Sequence, residues 1–462
     1  MANPPTRGLG PTIGSGSVRA KPMIAHHKSD LAALGPYMLM LMMRNVTSDG
    51  FVIEDPDAPG VYSLPGCVLA APSFPANTPG VDQDYVYNWV RDAAITTIEI
   101  ASADLPISGG SIQTLIDYVN FAATCYNNAT PISQDEAVTK GHACFTVAGK
   151  VRPWTEQSDG PALQTIAILH AYNQLDDITK KTAVDLIEKN IAYLLGAYRQ
   201  PTTNLWEEHQ GDSFFARSVQ LRCFREIAEN KIGVAVQDGI AEAINWLDNA
   251  LTNHWNGECY VSLAVPNKQP AQSVFDGYDA NIDIASACVY GAISCTDPKL
   301  LATVALLRQQ WSDPNSASFY PINLADKERG IGPLFGRYPK DIYDGDVADP
   351  VMGGHPWALC TANVAEVYYK LARAIAASKK IPFDDVSKSF FEPLGINTGT
   401  KSDEAVSILR NAADAMLRAI LFHSDRYELS EQFDGTSGYE KSVHNLTWSY
   451  ASFLSALRAR SA

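Results

Sequence analysis

The chain has 462 residues, 46% hydrophobic and 19% charged, which is enough apolar content for a large globular core. Its 36 Lys and Arg stand against 51 Asp and Glu, and no basic cluster carries interleaved aromatics, which argues against a nucleic-acid partner. Eight cysteines without a C-x-x-C pair argue against a disulfide scaffold and a zinc site, leaving Cys125 with Cys144 and Cys288 with Cys295 as candidate pairs.

Met1 to about Lys21 is rich in Gly, Pro, Ser and Arg and lacks the apolar run of a secretory leader, so residues 1–27 read as a flexible tail. The run Tyr37-Met38-Leu39-Met40-Leu41-Met42-Met43 is far too short to span a bilayer and reads as the buried stripe of a first helix. No membrane association is expected. Helical periodicity then dominates. Ile112, Leu115, Ile116 and Val119 make one stripe, and Leu163, Ile166, Leu169 and Tyr172 make another after Asp159-Gly160-Pro161. Val184, Ile187, Ile191 and Leu194 follow, then Ile240, Ile244 and Leu247. Asp297-Pro298 is a cap with proline in the first turn, ahead of Leu300, Leu301, Val304 and Leu307. Val364, Val367, Leu371 and Ile375 come next, then Leu409, Ala412, Met416, Leu417 and Ile420, and finally Trp448, Phe453 and Leu457.

This is an all-α pattern of roughly a dozen helices. No linker divides residues 28–462, so they are read as a single domain, and a monomer is expected. The longer connections, 50–88, 199–215, 256–282, 312–356 and 425–445, concentrate Gly, Pro, Asp, Trp and Tyr. A helical scaffold with functional loops at one end is the natural reading.

Four sets of residues in these connections suit chemistry on a sugar. Tyr85, Trp89, Arg91 and Asp92 combine rings that cover the apolar face of a pyranose with charges that bond its hydroxyls. The plainer alternative is a structural ion pair at a helix start. Trp206-Glu207-Glu208 places two carboxyls beside an indole, where desolvation can keep one protonated, or else they are two solvated loop glutamates. Arg337 and Asp341, followed by Trp357, are a second sugar-recognition set or a loop pinned by Pro339 and one ion pair. Glu431, in Ser430-Glu431-Gln432-Phe433-Asp434, is a base that could polarise water, or part of a polar turn before the last helix. Two carboxyls from distant parts of a fold, one protonated and one ionised, are what hydrolysis of a glycosidic bond requires. There is no H-E-x-x-H and no G-x-S-x-G, and the glycines from Gly330 to Gly336 do not follow the dinucleotide pattern, so no metal or cofactor is expected.

Taken in order, these segments resemble the glucoamylases, glycoside hydrolase family 15, in their fungal-type catalytic domain. The resemblance rests on Tyr85-x-Tyr87-x-Trp89-x-Arg91-Asp92, Asp159-Gly160-Pro161-Ala162-Leu163, Leu205-Trp206-Glu207-Glu208 and Ser213-Phe214-Phe215. It continues in Gly336-Arg337-Tyr338-Pro339-x-Asp341, Pro356-Trp357-x-Leu359-Cys360, Ser430-Glu431-Gln432 and Leu446-Thr447-Trp448-Ser449-Tyr450-Ala451. It implies an (α/α)6 barrel with the active site in loops at one end. It also implies exo-acting, inverting hydrolysis of α-1,4-linked glucans and malto-oligosaccharides, releasing β-glucose. Glu207 would be the general acid and Glu431 the general base, with carboxyls about 6.5–9.5 Å apart. Arg91, Asp92 and Arg337 would hold the terminal glucose, Tyr85 and Trp448 would line it, and the carbonyl of Leu205 would reach it. Glu208 would serve the next subsite outward, and Ser442 would tune the base. Trp89, Trp154, Trp206, Asp341 and Trp357 complete the expected substrate-binding set.

Three departures stand out. Trp154 lies one position nearer the D-G-P-A-L segment than the family's tryptophan. The stretch Asp344 to Pro350 lengthens the link to Trp357, and Asn445 stands where aspartate is common. No starch-binding module is expected after residue 451. The alternatives on the same fold are an α-1,6 glucohydrolase and an α,α-trehalase, and outside enzymes a carbohydrate-binding protein without turnover.

Overall fold

Helices alternate between two concentric rings in the computed structural model, which describes residues 28–72, 85–103, 110–129, 141–229, 232–235, 238–347 and 354–462. In chain order the ring helices are α1 (Gly35–Met43), α2 (Val90–Ser102), α3 (Gly110–Asn128), α4 (Asp159–Ala171), α5 (Asp177–Ala197) and α6 (Phe214–Ala228). They continue as α7 (Ile240–Thr252), α8 (Asp283–Tyr290), α9 (Pro298–Ser312), α10 (Ala358–Ser378), α11 (Ser402–His423) and α12 (Thr447–Ser461). The even-numbered helices pack on one another in sequence, and α12 returns to α2, closing an inner ring of six. Each odd-numbered helix packs outside: α1 on α12, α3 on α2, α5 on α4, α7 on α6, α9 on α8 and α11 on α10. This is an (α/α)6 barrel.

Burial follows the ring. Inner α10 buries an almost unbroken run from Ala358 to Leu371, and much of that run is small or polar: Ala358, Cys360, Thr361, Ala362, Asn363 and Ala365. A helix enclosed on every side needs compact residues where neighbouring backbones approach. Outer α7 buries only Ile240, Ala243, Leu247, Ala250 and Leu251, one stripe at helical spacing. Start signals agree with the sequence. Asp297 accepts from the Lys299 N–H ahead of α9, Ser213 accepts from the Ala216 N–H at α6, and Asp176 accepts from the Ile178 and Thr179 N–H groups at α5.

Three expectations need correction. Ile112 is half-exposed while Leu115 and Val119 are buried, so the inward stripe of α3 is narrower than its apolar residues suggest. The connection 312–356 contains a further helix, Pro321–Arg329, opened by proline and closed by Gly330 in the left-handed conformation. All eight cysteines are free, and all but Cys295 are buried, so neither candidate disulfide forms. The expected tail 1–27, Asp84 and the stretch 348–350 lie outside the described residues.

The site owes its position to chain direction. Every inner helix starts at the same end of the barrel, and the candidate residues stand at those starts or in the connections just before them. Short antiparallel pairs pin these connections: Asn88–Trp89 with Cys144–Phe145, Gln210–Ser213 with Thr202–Thr203 and Leu263–Ala264, and Gln432–Phe433 with Glu440–Lys441.

Candidate active site

At that end a cavity of about 340 Å3 is lined by Tyr85, Trp89, Arg91, Asp92, Trp154, Leu205, Trp206, Glu207, Glu208, Arg337, Trp357, Glu431 and Trp448. The structure thus brings thirteen of the fifteen expected residues to one wall-to-wall site. The other two stand behind it. Asp341 is buried against Arg337, and Ser442 is buried against Glu431. A separate, larger cleft of about 1150 Å3 lies between α9, the helix Pro321–Arg329 and residues 385–394, and holds none of these groups.

Glu207 sits in a turn built by Asn204. The Glu207 N–H donates to the Asn204 carbonyl, and the Asn204 side-chain oxygen accepts from the Glu208 and His209 N–H groups. The turn holds Glu207 at φ 66°, a left-handed conformation unusual for glutamate. Its carboxylate accepts from Arg91 Nη2 at 2.9 Å, from the Trp89 indole N–H at 3.3 Å, and from the Trp154 indole N–H. Despite its shifted position in sequence, Trp154 therefore reaches the carboxyl expected to be the acid. Trp154 packs edge-on against Trp89 at 5.8 Å and is 42% exposed, so it forms the outer lip.

Arg91 is buried and divided among partners: Nη1 donates to Gln157 and to Asp159 at 3.2 Å, and the guanidinium lies 5.3 Å from the Trp448 ring centroid. Burial opposes its charge, but the surrounding Asp159, Asp92 and Glu207 raise its pKa above the ordinary value. Burial pushes Asp92 up to about 7, against the pull of Arg91 and with the help of Glu207. Among the described residues, Arg91 Nε, Asp92 Oδ1 and the Trp357 indole N–H are buried without hydrogen-bond partners. Buried polar atoms are ordinarily satisfied. Arg91 Nε and Asp92 Oδ1 face each other as a long ion pair at 3.9 Å, so short-range bonding capacity remains on both and on the Trp357 indole, which suits a hydroxyl-rich ligand.

Arg337 forms the facing wall. Asp341 grips it through two bonds of 2.8 and 2.7 Å, and Glu208 pairs with it at 2.8 Å. Rings of Trp206, Tyr338, Tyr343 and Trp357 surround the guanidinium at 4.8–5.4 Å. Glu208 also accepts from the Tyr338 hydroxyl at 3.0 Å. Trp206 is fixed by its indole N–H donating to Asn281 at 2.9 Å and stacks on Trp448.

Glu431 is surrounded by hydroxyls instead. Tyr85 donates to Oε1 at 3.1 Å, while Tyr343 at 3.2 Å and Ser442 donate to Oε2. Burial raises its pKa, and these hydroxyls with the Arg337 charge work against that rise. Such a carboxylate is dry yet stabilised in its charged form, which is what a base needs.

Four lining residues stood outside the expected set, the apolar Ala70 and Leu446 and the polar Arg152 and Tyr343. Tyr343 follows Asp341 by two positions, and an aromatic so close to a sugar-recognition set was a usable signal. Arg152, which lies over the Tyr87 and Trp154 rings at 3.7 and 5.0 Å, precedes Trp154 by two. Gln157 and Asp159, which orient Arg91, carried no signal beyond the D-G-P-A-L segment.

The model of the family "Glycosyl hydrolases family 15" matches residues 38–458. A probable glucoamylase of Schizosaccharomyces pombe is 26% identical over 449 residues, covering 91% of this chain and 89% of its own length. A glucoamylase of Saccharomycopsis fibuligera is 28% identical over 460 residues, covering 86% and 84%. Among solved structures, a Saccharomycopsis fibuligera glucoamylase superposes with TM-score 0.75 at 22% identity, covering 94% of this chain and 95% of its own. A Hormoconis resinae glucoamylase gives TM-score 0.74 at 24% identity, covering 94% and 73%.

Proposed function

We propose that this chain, which belongs to family 15 of the glycosyl hydrolases, is a glucan 1,4-α-glucosidase that releases β-glucose from non-reducing ends with inversion. One observation carries the reading. Two glutamates from distant connections line the same cavity, one bound by a cation and indoles, the other by hydroxyls. The names of the similar proteins, glucoamylases, support the α-glucan substrate.

In this scheme the terminal glucose lies against Trp448, Trp206 and Tyr85. Its hydroxyls take up the open atoms of Arg91, Asp92 and Trp357. Glu431, ionised, accepts a proton from a water that attacks the anomeric carbon. Glu207 gives its proton to the glycosidic oxygen, so the C–O bond breaks as the new one forms on the opposite face. A sugar hydroxyl that competes for Arg91 Nη2 would weaken the Arg91–Glu207 pair. Arg337 would help hold this glucose from the facing wall, and Glu208 would bind the aglycone sugar next outward.

Proton NMR of fresh product tests the scheme. Maltose and maltoheptaose should yield β-glucose first, faster than isomaltose or trehalose. Initial α-glucose would overturn inversion, and a faster rate on isomaltose or trehalose would overturn the linkage. Bound maltose without glucose release would overturn the enzymatic reading altogether.

A further inference from the structure

The lengthened stretch after Tyr343 folds back onto the base. Asp346 accepts from the Ser442 N–H through both carboxylate oxygens at 3.2 Å. Lys441 pairs with Asp346 at 3.2 Å and with Asp344 at 3.1 Å. Asp344 meets His355 Nε2 at 3.1 Å, and His355 Nδ1 accepts from the Gly435 N–H at 3.2 Å. The chain between these ions is also clasped. The Gly345 N–H donates to the Gln432 side chain at 3.1 Å, whose amide donates to the Tyr343 carbonyl at 3.3 Å. A Cβ on Gly345 would collide with the Ser442 hydroxyl. Ser442 itself is held at φ 63°, a conformation that a serine does not keep without support.

Two of the three hydroxyls on Glu431 therefore come from the two halves of one ionic clasp: Tyr343 from the 341–347 side and Ser442 from the 440–442 side. We propose that Lys441, bridging Asp344 and Asp346, is a positioning residue that presses Tyr343 and Ser442 onto Glu431 and so sets the pH at which the base becomes active. The proposal rests on Glu431 being the base. Three features support it. Lys441 is largely buried, although charged. Asp344 titrates below the ordinary carboxylate range because the Asp346 backbone, His355 and Lys441 outweigh its burial. The Lys441 pKa is raised, its own burial being outweighed by Asp344 and Asp346.

The groups facing Glu431 are Tyr85, Tyr343, Ser442 and Arg337, with Asp92 and Cys360 further off. Charge alone and the clasp predict opposite signs for one variant. Asp346→Ala deletes a negative charge, so charge alone would lower the pKa of Glu431. Loss of the clasp withdraws hydroxyl donors, so it would raise it.

The test is the pH profile of kcat/KM on maltose for Lys441→Met, Lys441→Arg and Asp346→Ala. A parallel titration follows the Glu431 carboxyl by carbon-13 NMR, its signal assigned from its absence in Glu431→Gln. Lys441→Met and Asp346→Ala should both move the acidic limb upward by about half to one pH unit, and Lys441→Arg should restore most of it. A downward shift or no shift in a folded Asp346→Ala overturns the clasp, and Asp346→Thr replaces it should the alanine variant not fold. A wild type that releases no glucose defeats the proposed function, while the NMR titration still decides the clasp.

Discussion

Glu207 and Glu431 are the same side chain in the same cavity, and their surroundings differ in kind. Glu207 retains 17% exposure and is held by Arg91 and two indole N–H groups. Glu431 is only 2% exposed and is held by three neutral hydroxyls. A cation can be drawn away by a competing ligand, so the contacts of Glu207 are open to exchange. Hydroxyls supplied by a clasped backbone stay in place, so the state of Glu431 is built in. The contrast teaches that identical side chains in one cavity are set apart by what binds them and by how easily those partners can be displaced.

The strongest way to break this comparison is to neutralise each carboxyl. Glu207→Gln and Glu431→Gln should each lower kcat on maltose by about 10²–10⁴-fold with the circular dichroism spectrum unchanged. Near wild-type turnover in either would remove that residue from the chemistry. Next comes the wall that both carboxyls share. Asp341→Ala leaves buried Arg337 without its bidentate partner and should destabilise the protein by about 3–5 kcal/mol in urea unfolding. A stability change below roughly 1 kcal/mol would mean that Glu208 alone suffices to hold Arg337.

A finer test separates the hydroxyls. Tyr343→Phe and Ser442→Ala each delete one donor to Glu431, so the acidic limb of kcat/KM should move upward, by about one pH unit at most. The same changes should leave the basic limb in place. The smallest effect concerns stability. Burial raises Asp92, Glu99 and Asp283 to about 7, so all three keep protons in the folded chain at pH values where the unfolded chain has lost them. The native state then binds more protons between about pH 4 and 7, and stability falls as pH rises through that window. Thermal melts should show a higher Tm near pH 5 than near pH 7.5, and Asp92→Asn should flatten the slope of stability by about 1 kcal/mol per pH unit. A Tm that rises across this range would mean that these carboxyls are ionised in the folded protein.

Much was legible before any coordinates. Apolar stripes at helical spacing, the Asp297-Pro298 start and the polar connections state that helices alternate with functional loops, because these follow from local periodicity and capping. The eight ordered motifs contain twelve of the thirteen expected cavity residues, all but Trp154, since residues that touch one ligand form compact signatures in sequence. The helix Pro321–Arg329 was overlooked although both of its end signals are written in the chain, because its middle is too polar to mark a stripe.

Other features depend on partners far away in the chain and have no local trace. Which helices are inner and which outer depends on ring closure, where α12 meets α2. The orientation of Arg91 depends on Gln157 and Asp159, and the hydroxyl shell of Glu431 gathers Tyr85, Tyr343 and Ser442 from three separate connections. The sequence by itself determined a helical fold whose connections present two glutamates among residues of the kind that recognise sugars. Only the tertiary structure decided what each glutamate touches, because the donors that set a carboxyl's charge are brought to it by packing across the barrel rather than by neighbours along the chain.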